Sequence, residues 1–361
     1  MRMFIGERRM TTFRELRMVV LERAGTLNDH FAFRRLSLAH AAYWDKINAV
    51  EFERGYDHEK YIKPGSPSLC DMDLLTPEEF EVWVAELELI HGLHGQGLRE
   101  TAPIDIKYLE FAIHVAKRAG EILMRHYGNI QRIEWKERRH FKTIADDESD
   151  TLIRCAITDR FPDHCVYSEE LDARISDSEW KWVVDPLDGT IPYTFGFTDH
   201  FSVSIGLVRD LTPVVGVIYA PKRNELFYAS QGGGAFCNGH AIHVSDVMDV
   251  QNVVMDLCVG NKKRTDGAVV FAKLLHPQKG IMAHTCSACA TVPLALTARG
   301  NLHAFLATEL SPWDMAAAVV ILREAGGRVT NLADSEWKLG DESILAANPD
   351  LHTRLMRLLR E

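Results

Sequence analysis

The chain has no apolar run long enough to cross a membrane. A transmembrane helix needs about 18 consecutive apolar residues, and no stretch of this chain reaches that length. The first residues also lack the apolar core of a signal peptide. These absences predict a cytoplasmic protein with no membrane partner.

Basic residues and paired cysteines are also in short supply. The net charge of −10 and the pI of about 5.9 argue against nucleic acid as a main partner. The seven cysteines are odd in number and scattered, which favours reduced thiols over a disulfide framework. One Cys-x-x-Cys pair, Cys286 and Cys289, has no second pair beside it. It therefore predicts small buried thiols rather than a zinc site.

Residues 185–190, Asp-Pro-Leu-Asp-Gly-Thr, form the most informative stretch that is present. They follow an apolar run at residues 182–184 that predicts a buried strand. Proline and glycine favour a tight turn, which holds Asp185 and Asp188 close together beside a hydroxyl. Oxygen ligands of this kind suit a hard divalent cation such as magnesium. Taken alone, the hexapeptide fits an acidic surface turn equally well.

Three further acidic positions lie at the ends of predicted elements. Glu169 follows a short apolar segment, Asp146 precedes a helix-like run, and Asp314 opens an apolar helix. Such a pattern is expected where a fold converges carboxylates on metal ions. Asp146 and Asp314 could instead stabilise helix N-termini without any chemistry.

Taken together, these segments resemble the inositol monophosphatase family. That family belongs to the magnesium-dependent, lithium-sensitive phosphatases, with fructose-1,6-bisphosphatase. The resemblance covers about residues 105–361. It rests on blocks at residues 143–146, 168–170, 182–190, 233–239 with Val244 and Ser245, and 312–317 with 324–327. It implies an α/β fold with αβαβα layers.

The resemblance also implies ligands for magnesium. Glu169, Asp185 and the backbone carbonyl of Leu187 would bind a first ion. Asp185 would bridge to a second ion, which Asp188 and Asp314 also hold. A third, weaker ion could lie on Glu169, so that each site takes two or three.

Catalytic roles follow from the same resemblance. Asp146 and Thr190 would orient and deprotonate the attacking, metal-activated water. The backbone N–H groups of Gly189 and Thr190 would point at the phosphate. Lys136 lies in a basic run where the family has a mobile loop, and such a loop could close on an anionic substrate. A solvated charged loop is the equal alternative.

The substrate stays open because the chain departs from the family. Residues 191–193 read Ile-Pro-Tyr where a Thr-Asn-Phe-like run is usual, and Ala307 stands where a glutamate often meets the inositol ring, with Glu309 the nearest. The expected activity is that of a phosphomonoesterase acting on a small soluble phosphate ester, such as an inositol or sugar phosphate. Histidinol phosphate, a nucleotide 3′-phosphate and fructose 1,6-bisphosphate remain alternatives, as does a non-catalytic regulatory protein.

Residues 1–100 match no part of this pattern and form an extension of unknown role. Helical spacing predicts three amphipathic helices there, and residues 92–103 are the best linker candidate. The phosphatase domain then spans residues 104–361, and many members of the family are dimers. In this domain we predict helices at 104–127 and 147–161, with strands at 165–168, 180–184, 201–208, 214–219 and 226–229.

Overall fold

The computed structural model describes residues 4–5, 8–9, 106–129, 133–137, 140–170, 178–260 and 264–361. The chain divides into two units, Met1–Ser68 and Leu69–Glu361. In the first unit, the described residues form two short antiparallel strands, β1 (Phe4–Ile5) and β2 (Arg8–Arg9). The predicted helices and linker of the extension lie outside the described residues.

The second unit alternates strands and helices. Its strands are β3 (Ile133–Glu137), β4 (His140–Thr143), β5 (Cys165–Ser168), β6 (Trp180–Asp188), β7 (Ser202–Arg209), β8 (Thr212–Ala220), β9 (Glu225–Ser230), β10 (Ala235–Cys237), β11 (His240–Ala241), β12 (Val254–Cys258), β13 (Ala283–Thr285), β14 (Ala304–Ala307), β15 (Arg328–Thr330) and β16 (Ile344–Ala347). Its helices are α1 (Ile106–His126), α2 (Ile144–Arg160), α3 (Thr190–Phe195), α4 (Arg264–Leu274), α5 (Thr291–Ala298), α6 (Pro312–Glu324) and α7 (Pro349–Arg360).

A seven-stranded sheet, in the order β11-β10-β9-β8-β7-β6-β5, carries the first core. Successive residues of β6 point to opposite faces. Trp182 and Val184 pack with apolar residues of α1 and α2 on one face, and Val183 packs with α5 and α6 on the other. Both faces are therefore buried, which explains the continuous apolar run in β6.

A five-stranded sheet, in the order β13-β12-β14-β16-β15, forms the second core. Phe305 and Ala307 of β14 face the α5 and α6 layer, whereas Leu306 packs with residues of α4 and α7 on the opposite face. The layers are thus α1/α2, sheet, α5/α6, sheet and α4/α7. The layered α/β fold expected from the sequence is confirmed. None of the described helices is long and apolar enough to cross a membrane.

Helix α6 lies unusually close to the large sheet. A Cβ atom on Gly216 of β8 would come within 2.1 Å of the backbone oxygen of Ala317, so only glycine permits this approach. Alanines 316–318 of α6 are all buried and present equally small side chains. The close packing fixes the helix that carries Asp314.

Most predicted elements are present, with shifted ends. Helix α2 begins at Ile144, three residues before the predicted start at 147, because Thr143 caps it. Strand β6 continues to Asp188 instead of ending at 184. The basic run from Lys136, predicted as a loop, contributes to the antiparallel strands β3 and β4.

A buried histidine links stability to pH. His352 of α7 is fully buried, and its Nε2 lies 2.9 Å from Thr330 Oγ1. The Thr330 hydroxyl donates to the backbone oxygen of Asn331, so it accepts from Nε2–H and leaves Nδ1 unprotonated. Burial, with a contribution from Arg328, lowers the pKa of His352 to about 4.

We expect acid to destabilise the protein through His352. The unfolded chain binds this proton near pH 6.5 and the folded chain near pH 4, so stability is lost as the pH falls between these values. The loss is at most about 3 kcal/mol. Urea unfolding of the wild type and His352→Gln at pH 7 and pH 5 measures it.

The glutamine variant should lose less stability between the two pH values than the wild type. His240→Gln, which changes an exposed histidine, is the matched control and should follow the wild type. An equal loss of unfolding free energy between pH 7 and pH 5 in all three proteins would contradict the assignment.

Candidate metal and catalytic site

A bulge in β6 brings Asp185 and Asp188 to one face of the sheet. Residues three apart on a regular strand point to opposite faces. Asp185 pairs with Ser204, and Asp188 pairs with Ser202, so two residues of β6 oppose the single residue between these serines on β7. The bulge shifts the alternation of side chains by one residue, so both carboxylates point toward α6.

Asp314 completes a cluster of three carboxylates. It lies in the first turn of α6, on the side of the sheet that Asp185 and Asp188 face. One oxygen from each of the three side chains can be chosen so that all lie within 4.8 Å of one another. Asp185 and Asp188 are buried and Asp314 is partly buried.

Backbone N–H groups fix the carboxylates of Asp185 and Asp314. The N–H of Leu187 donates to Asp185 Oδ1 over 2.9 Å. The N–H of Ser311, the residue that caps α6, donates to Asp314 Oδ2 over 2.8 Å. Asp314 therefore stabilises the start of its helix and belongs to the cluster at the same time, so the two interpretations of this residue are compatible.

Without a cation, the cluster is electrostatically unfavourable. Burial raises the pKa of Asp185 well above its usual value, and the charges of Glu169, Asp188 and Asp314 raise it further. Burial likewise raises the pKa of Asp314, with added effects of Asp188 and Glu169. These carboxylates would gain from a nearby positive charge.

Lys136 supplies one positive charge at the edge of this cluster. It is the unpaired residue of a bulge between β3 and β4, a device that redirects a side chain. Its Nζ lies 3.3 Å from Glu169 Oε1 and also hydrogen-bonds to Glu170 Oε1. Burial alone would lower the pKa of Lys136, but Glu169 and Glu170 raise it above its usual value.

Asp146 and Thr190 lie next to each other. Asp146 Oδ2 accepts from the N–H and the hydroxyl of Thr143, both over 2.7 Å. The Thr190 hydroxyl lies 3.2 Å from the carbonyl oxygen of Leu187 and 3.5 Å from Asp146 Oδ1. Burial raises the pKa of Asp146 to about 7. A buried carboxyl group with such a pKa can accept a proton near neutral pH.

Gly189 makes the turn into α3 possible. Its φ is +82°, a left-handed conformation that glycine adopts without strain. A Cβ atom here would lie 2.5 Å from the backbone oxygen of His200 and 3.2 Å from Cys289 Cβ. The turn that presents Thr190 therefore requires glycine on both grounds.

Sequence reasoning missed the groups that hold Asp188. Asp188 Oδ2 accepts from Cys289 Sγ over 2.9 Å, from the N–H groups of Ala290 and Thr291 over 2.9 and 2.7 Å, and from the Thr291 hydroxyl. The only signal was the Cys-x-x-Cys pair, which we interpreted as two buried thiols. That prediction is wrong for Cys286, which is exposed, and right for Cys289.

The residues present fit a divalent cation. Three carboxylates converge in a buried place, each with one oxygen already held by donors. Burial and nearby negative charges raise the pKa values of Asp185 and Asp314. Carboxylate oxygens are the ligands that magnesium prefers. Glu169 lies near enough to affect the pKa values of Asp185 and Asp314, and the Leu187 carbonyl lies next to Thr190.

Known proteins resemble this chain over the same region. The model of the inositol monophosphatase family matches residues 106–361. A relative from Aquifex aeolicus, called fructose-1,6-bisphosphatase/inositol-1-monophosphatase, is 34% identical over 260 residues, which cover 71% of this chain and 96% of the relative. Inositol monophosphatase 3 of Solanum lycopersicum is 34% identical over 266 residues, covering 71% of this chain and 97% of the relative.

A solved structure has the same fold. The extragenic suppressor protein suhB from Bartonella henselae superimposes with a TM-score of 0.66 at 29% identity. The match covers 70% of this chain and 98% of that one. The match of the family model at residues 106–361 includes every residue of the cluster.

Removing one negative charge from the cluster should stabilise the metal-free protein. In Asp185→Asn, the amide oxygen can still accept from Leu187, and like-charge repulsion falls. We expect the metal-free variant to melt above the wild type, by about 2–4 °C if the relief is worth about 1 kcal/mol. Adding magnesium should raise the melting temperature of the wild type but not that of the variant.

Asp246→Asn is the control, because it removes an exposed carboxylate. It should melt like the wild type and respond equally to magnesium. A metal-free Asp185→Asn protein that melts several degrees below the wild type would contradict the proposed repulsion.

Proposed function

Since the chain belongs to the inositol monophosphatase family, we propose that it hydrolyses a small soluble phosphate monoester by direct attack of water on phosphorus. The chain is a phosphatase, a phosphoric monoester hydrolase, of a magnesium-dependent family. The cluster of Asp185, Asp188 and Asp314 is the observation that carries the proposal. Direct attack requires no phosphorylated side chain, and the proposed roles include none.

In this proposal the acidic residues hold two or three magnesium ions. Glu169, Asp185 and the Leu187 carbonyl form one group of ligands, and Asp185, Asp188 and Asp314 form the other. When bound, such ions neutralise phosphate charge and lower the pKa of water. The tethered oxygens of Asp185 and Asp314 keep the remaining oxygens in place, so little ordering is needed on binding.

Asp146 is the proposed general base, and Thr190 orients the water. Asp146 is buried and anchored through Oδ2, while Oδ1 lies toward the Thr190 hydroxyl. In its ionised form it can take the proton that the attacking water loses. Its pKa of about 7 allows this near neutral pH.

The phosphate would bind at the turn into α3. The backbone N–H groups of Gly189 and Thr190 lie at the start of this helix, where they have no intrahelical partner. Lys136, held by Glu169 and Glu170, would exchange these contacts for the anionic substrate. In this way Lys136 would fulfil the role that the mobile loop has in the family.

The substrate class is supported by the names of the relatives alone. Relatives are named for inositol monophosphate and fructose 1,6-bisphosphate, and we propose an inositol phosphate or a sugar phosphate for this chain. Ala307 stands where a carboxylate often meets an inositol ring in the family, but it is fully buried in the core and supplies no contact to any leaving alcohol. Histidinol phosphate and a nucleotide 3′-phosphate stay as alternatives.

A regulatory role is the second candidate. Some relatives are named Nus factor SuhB, which is not the name of an enzyme. This chain keeps a carboxylate or hydroxyl at each proposed catalytic position, and Asp146 is buried with a pKa suited to a base. Asp146 also completes the cap of α2, so its burial serves either role, and the relatives named as phosphatases are the reason that we favour the enzyme.

We also propose that the protein forms a homodimer. Three aromatic side chains near the site are more than half exposed, Trp135 and Phe195 at 65% and Phe197 at 56%. Phe141 contacts both Trp135 and Phe195, so at least two of the three adjoin. Exposed apolar patches of this kind mark interaction surfaces.

Asp146→Asn should separate catalysis from metal binding. The amide cannot accept the proton, so we expect turnover to fall by about 10²–10⁴-fold. Asp146 is not among the proposed ligands, so magnesium binding should stay within about threefold of the wild type. Steady-state phosphate release and calorimetric titration measure the two quantities.

Asp147→Asn is the matched control, because it neutralises the neighbouring exposed carboxylate. It should retain the turnover of the wild type. If Asp146→Asn also retained it, Asp146 would not be the base.

A panel of phosphomonoesters tests the reaction and its substrate. The full-length chain is incubated with inositol 1-phosphate, sugar phosphates, fructose 1,6-bisphosphate, histidinol phosphate and a nucleotide 3′-phosphate, with magnesium or with a chelator. We expect phosphate release from at least one compound, only with magnesium. Release from none of them under any condition would favour the regulatory role.

A further inference from the structure

The segment at residues 285–291 joins β13 to α5 and is anchored at its first end by Asp256. This aspartate lies on β12 and is fully buried. Its Oδ2 accepts from the Thr285 hydroxyl over 2.6 Å and from the Ser287 hydroxyl over 2.7 Å. The proposed metal and catalytic roles make no use of Asp256.

The second end of the same segment is anchored by Asp188. The thiol of Cys289, the N–H groups of Ala290 and Thr291, and the Thr291 hydroxyl all donate to Asp188 Oδ2. The other oxygen of Asp188 is thereby directed by residues 289–291. The position of this segment decides how Asp188 meets its neighbours in the cluster.

Between the two anchors the backbone is strained. Ala288 has a φ of +54°, a left-handed conformation that is unfavourable for a residue with a Cβ atom. Such conformations persist where surrounding contacts over-determine them, and they concentrate at functional sites. Ser287 and Cys289, the residues on either side, are the ones that donate to Asp256 and Asp188.

We propose that Asp256 is a positioning residue for the metal site and acts through residues 285–291 on Asp188. This inference rests on the proposed role of Asp188 as a ligand. Asp256 holds the hydroxyl groups of Thr285 and Ser287, which keep the strained segment in its place. The segment then holds one oxygen of Asp188, so that the other is presented to the cation.

The hydrogen bonds of Asp256 suggest that the segment needs the accepting oxygen of this side chain more than its negative charge. Among the described residues, its Oδ1 has no hydrogen-bond partner, although the side chain is fully buried. A buried charge with an unpaired oxygen is unfavourable. Asparagine has one oxygen of the same geometry and could accept from both hydroxyl groups.

Direct titration of magnesium into metal-free, full-length protein tests the proposal. Groups that orient metal ligands typically contribute about 10–100-fold to metal affinity. We expect Asp256→Leu to weaken magnesium binding within this range and Ser287→Ala to weaken it by at least about threefold. Asp256→Asn should bind as the wild type does. Isothermal titration calorimetry gives the affinities, and thermal melting without metal gives the stabilities.

Thr297→Val is the matched control, because Thr297 is buried in α5 and donates only to Pro293 of its own helix. It should bind magnesium as the wild type does even if it melts earlier. Asp256→Leu and Ser287→Ala proteins that melt earlier but bind magnesium normally would overturn the proposal. If Asp256→Leu does not fold, the affinity of Ser287→Ala decides alone.

The outcome for the wild type separates this inference from the proposed function. A wild-type protein that binds no magnesium contradicts both. A wild-type protein that binds magnesium, with an unchanged affinity in Ser287→Ala, contradicts only the role of Asp256.

Discussion

The bulge in β6 is the constraint on which the site depends. Asp185 and Asp188 are three residues apart, and a regular strand would place one in each of the two cores. The extra residue between them on β6, opposite the single residue that separates their partners Ser204 and Ser202 on β7, moves both to the face covered by α6. Asp314 can join them only because Gly216 lets α6 approach the sheet. Local irregularity in one strand and close packing of one helix therefore create the cluster together.

Each carboxylate of the site is then fixed by a donor that belongs to the fold. The N–H groups of Leu187, Ser311 and Thr143 hold Asp185, Asp314 and Asp146. The N-termini of α2 and α6 and the end of β6 thus orient acidic groups that repel one another. Such a site lowers the stability of the metal-free chain, and binding of a cation would restore that stability. The carboxylate oxygens that destabilise the metal-free chain are the same oxygens that we propose as ligands.

The sequence predicted most helices and strands well, but it did not predict the strand pairing and the hydrogen bonds that shape the site. Strand β5 was predicted at its observed ends, and β7 and α1 nearly so, because their apolar patterns are visible in the sequence itself. The extension of β6 through Pro186 to Asp188 was missed, since pairing with β7 is a property of both strands. The anchoring of Asp188 by Cys289, Ala290 and Thr291 was missed as well, because about a hundred residues separate these partners. Lys136 was assigned to a loop, since a bulge within a charged run leaves no periodic pattern.

The departure at residues 191–193 illustrates why reaction and substrate have to be argued separately. It was one reason to leave the substrate open, yet Pro192 and Tyr193 are buried and the Tyr193 hydroxyl donates to the backbone oxygen of Leu123 in α1. Pro192 lies in the first turn of α3, where its missing N–H group costs no helical hydrogen bond. Pro192 and Tyr193 therefore pack within the fold and supply no group for a leaving alcohol. Ala307, the other departure, is fully buried and faces the layer formed by α5 and α6. Neither departure therefore identifies the leaving alcohol, whereas the proposed reaction depends on the carboxylates that β6 and α6 bring together.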